Sequence, residues 1–65
     1  MDERERLLRE LLELGERAAA LSDLQLDTIT TMGEASNAVA SELVQVVERM
    51  QGTLRVLRAL GQMVP

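Results

Sequence analysis

The chain contains no His, no Cys, no Lys and no aromatic residue, and all seven of its basic side chains are Arg. Each absence closes a class of chemistry. Without Cys or His there is no disulfide framework, no structural zinc site and no thiol chemistry. Without a His or Lys base, the hydroxyls of Ser22, Ser36, Ser41, Thr28, Thr30, Thr31 and Thr53 have no second member for nucleophilic catalysis. Without aromatics there is no platform on which nucleic-acid bases could stack.

Glycine and proline are also scarce, four and one respectively. Gly15, Gly33, Gly52 and Gly61 fall in no GxxxxGK or GxGxxG run, so no phosphate loop is written here. No apolar run approaches the roughly 18 residues that a membrane span requires. The opening Met1-Asp2-Glu3-Arg4-Glu5-Arg6 is too acidic for the n-region of a signal peptide. A chain of 65 residues without staples points to a cytoplasmic setting. The net charge of −4 disfavours both nucleic acid and anionic membranes as partners. Arg4, Arg6 and Arg9 could clamp phosphates, but Glu3, Glu5 and Glu10 interleave them.

What is present is a helix-forming composition: 46% apolar and 28% charged, too hydrophobic for a disordered chain. From Glu3 to about Ala20, Leu7, Leu11, Leu14, Ala18 and Leu21 alternate at spacings of four and three, one helical stripe that Leu8 and Leu12 widen. Opposite charges four apart, such as Glu5-Arg9 and Glu13-Arg17, cover the other faces. Glu10, Glu13 and Glu16 make a carboxylate run, but a di-metal bundle site needs inward Glu and Glu-x-x-His, and Glu10 and Glu13 have an Arg at pairing distance. The expectation is therefore no catalytic, metal or cofactor site.

Ser22 followed three residues later by Gln25 has the form of a capping box, which predicts a turn at 21–25 and a second helix from about residue 23. Beyond it, Leu26, Ile29, Gly33, Ser36, Ala40, Leu43, Val47, Met50, Leu54, Leu57 and Gly61 keep a 3,4 spacing without a slip. That reads as one long rod to about residue 61, stopped by Gly61 and Pro65. Gly33, preceded by the weak helix formers Thr28 to Thr31, is where the rod could break into a third helix; the unbroken heptad phase favours continuity.

The predicted fold is all-α: an antiparallel hairpin with a short helix over 3–20 and a long one over 23–61. Gly15, Gly33, Ser36 and Ala40 would allow close helix packing. The short helix, roughly 27 Å long against roughly 58 Å, would leave Leu43, Val46, Val47, Met50, Leu54, Leu57 and Leu60 bare. Burying seven such side chains is worth on the order of 10 kcal/mol, so self-association into a coiled-coil-like four-helix bundle is expected. A dimer is the simplest form and a tetramer the next. The functional expectation is a non-enzymatic assembly or adaptor protein. The alternative is a small regulator or chaperone-like subunit that lends the same face to a heterologous helical partner. Met32, Met50 and Met63 would serve such a surface or fill the core.

Overall fold

A computed structural model describes residues 2–63, with the backbone alone at residue 63. Two helices, α1 (Glu3–Met32) and α2 (Asn37–Met63), pack against each other as a hairpin, and no strand occurs among the described residues. The body is a slab of 53 × 17 × 14 Å.

The helix boundaries differ from the expectation. There is no turn at 21–25; α1 runs through it for 30 residues, and the break falls at Gly33. The unequal pair over 3–20 and 23–61 is thus replaced by helices of 30 and 27 residues. Nothing between Ala18 and Asp27 forbids a helix: Ser and Asp cost only tenths of a kcal/mol there, while the buried and half-buried positions continue in phase through Leu21, Gln25 and Thr28. A capping box marks a helix start only where the preceding residues are not themselves helical, and here α1 is continuous through Ser22 and Gln25. Thr28 and Thr30, weak helix formers, are accommodated because their hydroxyls donate to the carbonyls of Leu24 and Leu26 at 2.9 and 2.8 Å.

Gly33 ends α1 with φ 80° and ψ 3°, the left-handed conformation that costs glycine nothing. Its N–H donates to the Ile29 carbonyl at 2.8 Å. Four residues later α2 begins, with Ser36 as its cap: the hydroxyl accepts from the Val39 N–H at 3.3 Å and the carbonyl from Ala40 at 3.0 Å. At the other end, Asp2 caps α1 by accepting from the Arg4 N–H at 3.2 Å. Gly61 does not stop α2, which continues to Met63; Pro65 lies outside the described residues.

The seam between the helices follows two heptad ladders. On α1 it is Leu7, Leu11, Leu14, Ala18, Leu21, Gln25 and Thr28; on α2 it is Ser36, Val39, Leu43, Val46, Met50, Thr53, Leu57 and Leu60, all buried or half-buried. The expected α2 ladder shares Ser36, Leu43, Met50 and Leu57 with the real one but takes Ala40, Val47 and Leu54 where the seam uses Val39, Val46 and Thr53. A polar residue hides the pattern: Thr53 is 8% exposed, and its hydroxyl is satisfied by the Arg49 carbonyl at 3.0 Å.

Candidate functional site

A two-helix slab has two broad sides, and the residues flanking the seam decide what each can do. One position before the seam residues, α1 presents Arg6, Glu10, Glu13, Arg17, Ala20, Leu24 and Asp27, and α2 presents Ala38, Glu42, Gln45, Arg49, Gly52, Val56 and Ala59, so this side carries seven charges and two isolated large apolar side chains. Arg17 reaches Glu42 at 3.9 Å, so these flanks of the two helices share one side of the hairpin. It follows that the flanks one position after the seam share the other side.

That other side is apolar. On α1 the flank reads Leu8, Leu12, Gly15, Ala19, Ser22, Leu26 and Ile29, a second 4,3 ladder without a charge. On α2 it reads Ala40, Val44, Val47, Gln51 and Leu54 before a charge appears at Arg58. Of the nine large apolar side chains most exposed among the described residues, six belong to these two flanks: Leu8, Leu12, Leu26, Ile29, Val44 and Val47. Leu12 and Leu26 are 65% and 63% exposed. The remaining three, Leu24, Met32 and Val56, stand singly, which is ordinary for a soluble surface.

A shallow apolar depression on α1 lies in the middle of this side, lined by Leu8, Leu11, Leu12, Gly15, Glu16 and Ala19. It exists because Gly15 and Ala19 are small while Leu8 and Leu12 are not. At Gly15 the tip of the Met50 side chain comes within 4.0 Å of where a Cβ would stand, so the seam borders the depression at that glycine.

The residues expected to be bare are placed differently. Leu43, Val46, Met50, Leu57 and Leu60 lie in the hairpin's own seam, with Val46 only 5% exposed. They are covered because α1 is long enough to reach them, which removes the length mismatch that left them without an intramolecular partner. Val47 and Leu54 lie on the apolar side. Among the close-packing candidates, Gly15 and Ala40 are on that side as well, Ser36 caps α2, and Gly33 forms the turn, where a Cβ would meet no atom within 4 Å. Of the apolar α1 flank only Leu8 and Leu12 were legible in the sequence, as widening the stripe; the signal for the rest is that its seven members repeat the seam's spacing, displaced by one residue.

Among the described residues no three acidic side chains, Glu10, Glu13 and Glu16 included, are grouped so that they could hold a metal ion. Ion pairing among the described residues is sparse: besides Arg17 with Glu42, Arg6 meets Glu3 at 2.6 Å. No ion pair forms between opposite charges four apart among the described residues. None of the described helices is long and apolar enough to cross a membrane. Comparison with family models, with curated proteins and with solved structures finds no match for this chain.

Proposed function

We propose that this chain is a non-enzymatic protein that works by self-association, two hairpins meeting through apolar helix faces to form a coiled-coil-like four-helix bundle used in protein–protein assembly or as an adaptor. The observation that carries this reading is the uncharged side of the hairpin. A compact chain of 7.2 kDa exposes about 4100 Å², whereas this one exposes 5154 Å². The excess, on the order of 1000 Å², is comparable to the roughly 800 Å² that each partner contributes to a stable interface.

The thinness of the core supports the same conclusion. Among the described residues, Leu7, Leu21 and Val46 are the buried apolar side chains, and no side chain falls below 2% exposure. A single layer of two helices needs a second layer to bury its apolar side. The non-enzymatic part rests on composition, which supplies neither a base nor a nucleophile pair.

Sedimentation velocity at micromolar concentration tests the proposal. The expected species has about 14 kDa, twice the 7.2 kDa of the chain, or a higher multiple. A folded helical monomer that persists at tens of micromolar would overturn it.

A further inference from the structure

We propose that the second copy occupies the apolar side with its two-fold axis parallel to the helices, so that α1 of each hairpin packs on α2 of the other. This rests on the self-association reading and adds the face and the pairing. Residues standing level on the two helices have numbers that add to about 60, as Gln25 with Ser36 and Arg17 with Glu42 show. A two-fold axis parallel to the helices keeps every level unchanged between copies. It therefore brings Leu12 against the partner copy's Val47 position, Gly15 against its Val44 position and Ala19 against its Ala40 position.

This pairing matches shape to shape. The depression at Gly15 and Ala19 receives one valine and one alanine, while the bulky Leu12 meets the mid-sized Val47 beyond it. The chain thus carries both the notch and the side chain that fills it, and it does so twice by symmetry. The area left exposed beyond that of a compact chain is of the size one such layer would cover.

The other two-fold arrangement, with the axis across the helices, stacks α1 on α1 and α2 on α2. It centres both ladders at the same level, but the α1 ladder is centred near Ala19, level with residue 41, and the α2 ladder near Val47. Val47 and Leu54 would then overhang the partner's α2, which begins only at Asn37, whereas the parallel axis leaves Leu26 and Ile29 beyond that helix and keeps Val44 and Val47 over the partner's α1. The same stacking would also set Glu16 of each copy near Asp23 of the other, two like-charge contacts.

The absence of Cys makes the test direct. Singly substituted Ala19→Cys and Ala40→Cys proteins are mixed in equal amounts, oxidised and resolved by mass. Ala20→Cys with Ala38→Cys serves as the pair on the charged side. The expected product is the mixed disulfide of the first pair, with little from the second. A dominant Ala19→Cys homodimer overturns the pairing, and a dominant product from the charged-side pair overturns the face. If sedimentation finds a dimer but neither pair cross-links, this inference falls while self-association stands; a folded monomer removes both. As a second readout, Val44→Glu is expected to convert the dimer to a monomer of unchanged helicity by circular dichroism, and a dimer that survives it is incompatible with this face.

Discussion

The side-chain amide of Gln25 lies against the backbone of Ser36 much as a neighbouring strand would: Nε2 donates to the Ser36 carbonyl at 3.0 Å, and Oε1 accepts the Ser36 N–H at 2.9 Å. One side chain on α1 thereby holds the residue that caps α2, and sets the level at which the second helix starts.

Removing that latch should loosen the turn before it unfolds the helices. Gln25→Ala deletes both bonds at a part-buried site, a cost of about 1–3 kcal/mol. Gln25→Glu keeps an acceptor for the Ser36 N–H but places a carboxylate against the Ser36 carbonyl, so it should not restore the wild-type level. Amide hydrogen exchange is the measurement: protection at Ser36 and Val39 should fall in Gln25→Ala while the middle of α1 keeps its own. Uniform loss across both helices would show that the latch is not local.

Gln25 also explains why the turn was placed wrongly from sequence. Ser22 and Gln25 satisfy the spacing of a capping box, and nothing local says that the glutamine bonds instead to a residue eleven positions on. The fold class, the hairpin and the α1 seam were legible because Leu7, Leu11, Leu14, Ala18 and Leu21 repeat at helical spacing. The α2 seam was not, because half of its polar and apolar positions imitate a neighbouring ladder one residue away, and the heptad count runs through Gly33 without registering that the chain reverses there. The apolar side was partly legible: Leu8 and Leu12 were seen to widen a stripe, but only the position of the turn shows that they share a side with Val44 and Val47.

Thr53 is a polar residue in an apolar seam whose hydroxyl bonds a carbonyl of its own helix. That carbonyl belongs to the ordinary helical ladder, so removing the hydroxyl orphans nothing. Thr53→Val exchanges a buried hydroxyl for a methyl at nearly constant volume and is expected to stabilise the hairpin by up to about 1 kcal/mol. Urea denaturation at fixed protein concentration measures it; a marked loss of stability would mean that the hydroxyl has a partner beyond Arg49.

The Arg17–Glu42 pair joins the helices across the charged side, but both side chains are more than half exposed and the contact is 3.9 Å long. Exposed pairs of this kind contribute about 0–1 kcal/mol. A double-mutant cycle through Arg17→Ala and Glu42→Ala should return a coupling below about 0.5 kcal/mol, weakening further in high salt. A larger value would make the pair a determinant of the hairpin's register rather than a marker of it.

Two glycines with opposite demands separate the turn from the helix. At Gly33 a side chain would meet no atom within 4 Å, yet φ is 80°, so Gly33→Ala is penalised by backbone conformation alone, about 1–2 kcal/mol. Gly52 also has open space, but it lies inside α2 with ordinary helical dihedrals, on the charged side. Gly52→Ala should therefore stabilise by about 0.5–1 kcal/mol. For a domain this small each kcal/mol moves Tm by roughly 4–8 °C, so the two substitutions are expected to shift melting in opposite directions at equal protein concentration. Gly33→Asn, which tolerates the left-handed region, should recover part of the loss. If Gly33→Ala instead raised both Tm and helicity, residue 33 would be helical and the two helices would be one rod, which would remove the hairpin and with it the apolar side on which the second copy is placed.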